Sequence, residues 1–403
     1  MAEKLTLGII GAGNMGSKHL SNILAGKCPE IEVTAVADRD PAKLEAVHKT
    51  LGKARENGAD ASDIACFAEG SELISSGKCS AVLIAVPHYQ HPELTVEALR
   101  AGLHVMCEKP AGVYTLDVRR MIAEADRHPE LVFGMMFNQR TNHVYRKMKE
   151  IMDSGALGPI RRGGIRRTSW IVTSWYRPQF YYDSGDWRAT WSGEGGGVLL
   201  NQCPHQLDLW QWICGMPAKL EAKMYFGKWH DIEVEDDVSV FCEYKNGATG
   251  TFITSTGDVP GTNRFEIVCD GGTLLTDSKK LWVTKLEVPE SVFTKQNRTA
   301  AFGAPKSEKY EAETDGKNPQ HVGVLNAFAG AVLHGTPLVA DGREGINGLM
   351  LSNAMHLSAW LGKEVSLPID EELFRVKLGE HIATSKRKTS FAGSVVSDTE
   401  GTY

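Results

Sequence analysis

Three glycines, Gly11, Gly13 and Gly16, follow the apolar run LTLGII and stand at the G-x-G-x-x-G spacing. In that context the first glycine allows a tight turn, the second lets a pyrophosphate approach the backbone, and the third lets a helix pack closely on the strand. The helix N-terminus then faces the phosphates, which puts Asn14 and Met15 beside them. Asp38 ends the next β-rich run, EVTAVAD, where an acid accepts hydrogen bonds from the adenosine ribose. An acid there repels a 2'-phosphate, so NAD is favoured over NADP. The adjacent Arg39 keeps NADP open, since a guanidinium can pair with that phosphate if Asp38 turns away.

The alternation continues: a helix from about Ser17, a helix opening at Pro41, the run AVLIAVP, a helix from about His91, then HVMCEK. Strands and helices in alternation give right-handed βαβ units on a parallel sheet, and near-continuous apolar strands such as Ala81 to Val86 suit a sheet covered on both faces. Past Leu131 the pattern changes. A helical stretch, VYRKMKEIMDSG, leads into β-type runs: RRGGIRRTSWIV, KLEAKMYFGKW, DDVSVFCEY, ATGTFITST, NRFEIVCD and KLWVTKL. Asn246-Gly247 and Asp270-Gly271-Gly272 read as hairpin turns, so these strands pair mostly antiparallel. Helical patterns at Val322 to Leu333 and Gly345 to Leu361 follow.

The expected fold is therefore α/β: a Rossmann doubly wound parallel sheet, then an α+β domain with a large, mostly antiparallel open sheet. The boundaries fall at 1–130 for the dinucleotide-binding domain, 131–385 for a substrate-binding and oligomerisation domain, and 386–403 for a polar tail. A sheet with helices on one face leaves the other to be covered, and a second subunit is a natural cover, giving a homodimer or homotetramer.

At 403 residues, 42% hydrophobic and 23% charged, the chain has material for two cores. Its net charge of -6 arises from 44 basic and 50 acidic residues without long blocks of either sign, which argues against nucleic acid or an anionic membrane as partner. No leader-like or membrane-length apolar segment stands out, so a cytoplasmic location is expected. The eight cysteines are scattered singly with no C-x-x-C pair and read as buried, reduced thiols. His88 and His91 lack a convincing ligand set with any cysteine, so no metal is expected.

CEKPAG, Cys107 to Gly112, sets a charged pair at the carboxyl end of a strand, where open parallel sheets bind ligands. With GAGNMG, VPHYQH, EKPAG, GMMFNQR and GGGVLLNQCPHQLDLW in hand, the chain resembles the glucose-fructose oxidoreductase, inositol dehydrogenase and MocA family (Gfo/Idh/MocA) over most of its length. The resemblance implies NAD(P)-dependent hydride transfer on sugars, cyclitols or related alcohols. It places Lys109 between nicotinamide and substrate, often with a cis bond before Pro110, positions that lysine with Glu108, and lines the cofactor site with Pro87, His88 and His91. The residues independently support Lys109: an ammonium beside the reacting oxygen stabilises developing alkoxide charge.

A helix beginning near Gly197 sets Asn201, His205 and Asp208 on one face. A neutral His205 can take the hydroxyl proton as hydride leaves the same carbon. The family pattern has aspartate where Asn201 stands here; an amide orients or hydrogen-bonds substrate but supplies no charge to an imidazolium. Asp208 either takes that place or belongs to a structural network, and Pro204 either kinks the helix or marks its true start.

Ser169 to Gly193 carries Trp170, Trp175, Tyr176, Phe180, Tyr181, Tyr182, Trp187 and Trp191. Such density suits recognition of a carbohydrate or aryl glycoside, with Arg177, Asp186 and Arg188 hydrogen-bonding it; an aromatic core or subunit contact explains it equally well. Arg140, Asn138 and Tyr145 are weaker substrate candidates, equally readable as a helix start. The leading expectation is a dehydrogenase or reductase acting on a sugar, cyclitol or glycoside. Transient oxidation followed by elimination would instead give an NAD-dependent glycosidase, and a regulator that binds NAD(P) without turnover is the third possibility.

Overall fold

The computed structural model describes residues 3–56, 58, 63–158, 165–172, 176–298, 301–386 and 388. Six strands form a parallel sheet: β1 (Leu5–Ile10), β2 (Ile31–Ala37), β3 (Ala65–Phe67), β4 (Ala81–Ile84), β5 (His104–Cys107) and β6 (Phe133–Met135). Their order, β3-β2-β1-β4-β5-β6, is that of a doubly wound dinucleotide fold with its crevice above β1 and β4. Every residue of β4 is buried, as its unbroken apolar run requires. Helices α1 (Asn14–Leu24), α2 (Pro41–Glu56), α3 (Gly70–Ser75), α4 (His91–Arg100) and α5 (Thr115–Arg127) connect the strands. The first helix begins at Asn14, earlier than the sequence pattern placed it, because Gly13 already serves as its N-cap. The sheet runs on to Met135, and α6 (His143–Ser154) follows, capped by the Asn142 side chain and ended by Gly155 in the left-handed region.

The second sheet has nine strands: β7 (Ile165–Val172), β8 (Lys219–Phe226), β9 (Glu235–Glu243), β10 (Thr249–Ser255), β11 (Asn263–Cys269), β12 (Gly272–Thr276), β13 (Leu281–Leu286), β14 (Ser307–Glu311) and β15 (Val365–Ser366). Their order is β14-β13-β12-β11-β7-β10-β9-β8-β15, antiparallel throughout except where β10 pairs parallel with β7. The turns at Asn246-Gly247 and Asp270-Gly271 join β9 to β10 and β11 to β12. The helices of this part are α7 (Gln179–Asp183), α8 (Val198–Asn201), α9 (Pro204–Cys214), α10 (Glu290–Gln296), α11 (Gln320–His334), α12 (Gly345–Leu361) and α13 (Glu371–Thr384).

Two helices from late in the chain lock the sheets together. Buried Val324, Leu325 and Phe328 of α11 join the core of β1, β2 and α1, while α12, buried along most of its length, packs on α5, α9 and β8. Along β9, buried Val238, Val240 and Cys242 alternate with exposed Ser239 and Phe241, so one sheet face meets α9 and α12 and the other stays open. Among the described residues, no helix is long and apolar enough to cross a membrane. All eight cysteines are unpaired and all but Cys66 are buried. Of residues 386–403 only Lys386 and Lys388 are described; Trp175 and Arg161 to Gly164, expected in a loop and a strand, also lie outside the described residues.

Candidate active site

The glycine loop is shaped by its own backbone. A Cβ on Gly11, whose φ is +95°, would strike the Ala85 carbonyl, and one on Gly16 would strike the Gly11 carbonyl. Gly13 instead faces open space, at the N-terminus of α1, where no side chain caps the helix and no acid occupies the first turn. An anionic diphosphate fits that cradle. Asp38 braces it, its carboxylate accepting from Ala12 N–H at 2.7 Å and Asp40 N–H at 2.9 Å while retaining further acceptor capacity. A cleft of about 610 Å³ runs from Gly11 and Asp38 past Pro87 and Tyr89 to Trp187. Arg39 lines its rim, but its Nε donates to Glu69 at 2.7 Å, so the guanidinium is engaged by a carboxylate rather than free for a 2'-phosphate.

At the end of β5, the Lys109-Pro110 peptide bond is cis and Lys109 Nζ donates to the Asn201 carbonyl at 3.0 Å. Glu108 holds the lysine from behind: one carboxylate oxygen accepts the Lys109 backbone N–H at 3.1 Å and the other lies 2.7 Å from His19 Nε2. Burial alone would raise the Glu108 carboxyl, but the hydrogen bond and charge of His19, with His321 and Lys109, outweigh it and hold the group down at about 2. Burial likewise lowers the Lys109 ammonium, Arg188 and Arg177 pressing the same way and Glu108 and Glu194 opposing.

His88 and His91 are fasteners. His91 is buried with its ring nitrogens 2.6 Å from the Pro110 carbonyl and 2.8 Å from the Val86 carbonyl, so it joins the loops after β4 and β5 and leaves no nitrogen for a cofactor. His88 donates from Nδ1 to the Glu194 carbonyl at 3.0 Å, and Tyr89 Oη donates to the Trp191 carbonyl at 2.7 Å. Together they moor the 187–194 segment beside the cleft.

The expected single helix is two. Pro204 opens α9, leaving Gln202 and Cys203 as the joint after α8. The N-terminus of α8 is capped by the buried Glu235, whose oxygens accept from Gly197 N–H at 2.7 Å and Leu199 N–H at 2.9 Å and which also pairs with His356. Asn201 therefore presents its backbone carbonyl to Lys109, while its side-chain oxygen accepts from Tyr181 Oη at 2.9 Å and its Nδ2 donates to Glu194. His205 is buried near the edge of the Phe137 ring. Burial, then the Lys109 charge, holds its pKa well below the ordinary histidine value, so the ring is neutral at neutral pH.

Arg140 belongs to a buried ion-pair network. It is buried, bound through two nitrogens to Asp208 at 2.8 and 2.7 Å and through a third to Glu344 at 2.8 Å, between the rings of Phe137 and Trp212. Three of its five N–H groups and its charge are so committed, and Asp208, so paired, does not stand in for the aspartate absent at Asn201. Asn138 and Tyr145 are buried too, one against Gln320 and the other against Trp170.

The aromatic segment divides. Trp170, Tyr182 and Trp191 are core residues, and Tyr176 is half exposed, its carbonyl accepting from Arg177 Nη1. Tyr181, Trp187, Arg177 and Arg188 gather near Lys109: Arg188 donates to Tyr181 Oη at 2.7 Å, lies 4.5 Å from the centres of both the Tyr181 and Trp187 rings, and Arg177 lies 5.2 Å from that of Tyr181. The sequence reading passed over three members. Glu194, inside the GEGGG run, is buried with Oε2 accepting from Ala189 N–H at 2.7 Å, and burial raises its pKa. His19 and His321 come from α1 and α11, far apart in sequence, with ring centres 5.4 Å apart behind Glu108. Among the described residues, no three His, Cys, Asp or Glu side chains are grouped to hold a metal.

A family profile described as "Oxidoreductase family, NAD-binding Rossmann fold" matches residues 5–135, and one described as "GFO/IDH/MocA C-terminal domain" matches residues 145–275. The chain belongs to the Gfo/Idh/MocA oxidoreductase family. Myo-inositol 2-dehydrogenase of Thermotoga maritima is 24% identical over 371 residues, 90% of this chain and 98% of that one. The mouse trans-1,2-dihydrobenzene-1,2-diol dehydrogenase is 27% identical over 69% of this chain and 75% of its own. The WlbA dehydrogenase of Bordetella pertussis, solved with NADH and UDP-GlcNAcA, superposes with a TM-score of 0.73 at 23% identity, covering 91% of this chain and 100% of that one. Levoglucosan dehydrogenase, solved with NADH, gives 0.72 at 19% identity, with 91% and 100% covered. This protein is thus an NAD-binding oxidoreductase of that family, and its glycine cradle and Asp38 are residues that fit the dinucleotide.

Proposed function

We propose that this Gfo/Idh/MocA protein transfers a hydride between NAD and a secondary alcohol carbon of a sugar, cyclitol or glycoside. The observation that carries the reading is the meeting of Lys109, on the parallel sheet, with the Asn201 carbonyl, one turn before His205. When bound, NAD supplies the hydride acceptor through its nicotinamide ring. Neutral His205 takes the substrate hydroxyl proton while the C–H bond breaks. The Lys109 ammonium keeps two donors after its bond to Asn201 and hydrogen-bonds the same oxygen, stabilising its growing negative charge. Glu108 and Asn201 position Lys109, and Glu194 with Tyr181 fixes Asn201.

The relatives named for inositol and sugar-derived alcohols support this substrate class, as do Trp187 and Tyr181 as apolar faces for a ring. On the open face of the second sheet, Phe241 is exposed and Ile171, Ile253, Leu275 and Trp282 are half-buried. That apolar content supports a homodimer or homotetramer closed through this face, which sedimentation of the purified protein tests. The reaction is tested by incubating the protein with NAD, and separately NADP, against inositols, free sugars and aryl glycosides, following nicotinamide absorbance and aglycone release together. Reduction of NAD by one polyol class supports the proposal. Aglycone release without net reduction identifies the same oxidation used for cleavage, and silence in both channels contradicts hydride transfer.

A further inference from the structure

Arg177 and Arg188 are half-buried, and neither forms an ion pair with a described carboxylate. Several exposed arginines do hold a carboxylate: Arg39, Arg119 and Arg375, at 2.7, 2.8 and 2.7 Å. A cation withdrawn from water and left without a counter-charge is a costly arrangement unless something brings the charge to it. Arg188 donates from Nη1 to Tyr181 Oη, while its Nε and Nη2 make no hydrogen bond with a described residue; Arg177 spends only Nη1, on the Tyr176 carbonyl.

Lys109 is the third cation. Arg188 reaches it through two hydrogen-bonded residues, Tyr181 and Asn201, and both guanidiniums lie near enough to weigh on the Lys109 ammonium. Glu194, whose carboxylate feels the Arg188 charge, already accepts from Ala189 N–H and Asn201 Nδ2 and forms no hydrogen bond with either guanidinium. Nor do these arginines await the dinucleotide phosphates, whose cradle is at Gly13, since neither lines the cleft that begins there. Resting on the hydride-transfer reading, we propose that the substrate carries an anionic group, a carboxylate or a phosphate, and that Arg177 and Arg188 receive it beside the carbon that reacts at Lys109. Bidentate guanidinium recognition suits either group.

The test is equilibrium binding to the full-length, NADH-loaded protein, with glucuronate and galacturonate, glucose 6-phosphate, and the parent glucose and galactose, at low and high salt. The proposal expects at least one anionic sugar to bind about tenfold or more tighter than its neutral parent, an advantage that shrinks with salt. A preference for uronates assigns a carboxylate; a preference for the sugar phosphate assigns a phosphate. Arg177→Gln combined with Arg188→Gln should abolish the advantage while NADH affinity stays at the wild-type value, and Arg188→Lys should retain part of it. The proposal is overturned if no anionic sugar binds better than its parent, or if the preference survives in the double variant. Reduction of NAD by neutral polyols with no anionic preference sinks this inference alone; tight anionic binding without hydride exchange from any sugar or polyol sinks the hydride reading instead.

Discussion

Lys109 Nζ lies 3.0 Å from the backbone oxygen of Asn201, so a strand end of the parallel sheet and a four-residue helix of the second domain meet at one hydrogen bond. The side chain of residue 201 faces elsewhere, toward Tyr181 and Glu194. The lysine therefore depends on the fold at that position more than on the amide that fills it.

Lys109→Met should lower kcat by about 10² or more while the NADH dissociation constant changes by no more than about threefold. Stopped-flow turnover and fluorescence titration of NADH check the two halves. A parallel collapse of NADH binding would make Lys109 a cofactor ligand rather than a catalytic group.

His205 has no aspartate partner at position 201, and its pKa is depressed by burial and by Lys109. The acid limb of kcat/KM should accordingly fall well below pH 6.5, the ordinary value for histidine. Stability follows the same sign: a neutral ring with a lowered folded pKa contributes fully above the unfolded value and is lost as pH falls. The melting temperature of wild type relative to His205→Asn should thus drop between pH 7 and pH 5. An acid limb above pH 7 would contradict the arrangement.

Asn201→Asp would set a second carboxyl against Glu194. Two carboxylates in contact do not both ionise, so one keeps its proton with a raised pKa. The variant should match wild type most closely in melting temperature near pH 5 and lose ground steadily to pH 8. A pH-independent difference would place Glu194 and residue 201 out of contact.

Gly13→Val should fold normally, because nothing stands within 4 Å of its Cβ position, yet lose the rise in melting temperature that saturating NADH gives the wild type. Retained stabilisation by NADH would relocate the diphosphate.

Arg140→Met leaves Asp208 buried without its counter-ion and should cost about 3–5 kcal/mol in denaturant unfolding. Substrate KM in the folded fraction should not change. A raised KM with stability intact would return Arg140 to the substrate site.

Sequence periodicity carried the parallel sheet, α11 and α12 because each is a long apolar pattern whose period is set locally. The short strands β3 and β12 rest on tertiary pairing that no window resolves, and the break before Pro204 was legible only as a choice between a kink and a helix start. At the site, Lys109 and His205 sit in motifs with their own chemistry. Glu194 was hidden in a glycine run, and only the folded chain brings it to Asn201. Arg140 read only as a weak substrate candidate or a helix start because its partners, Asp208 and Glu344, are 68 and 204 residues away.

The most direct test is a single turnover of NAD-loaded protein with an active substrate deuterated at the reacting carbinol carbon, quenched and read by mass spectrometry of the nicotinamide. One deuterium in NADH is the result the account predicts, with the signal lost in Lys109→Met. Deuterium released to water with unlabelled or absent NADH would contradict direct hydride transfer at this site.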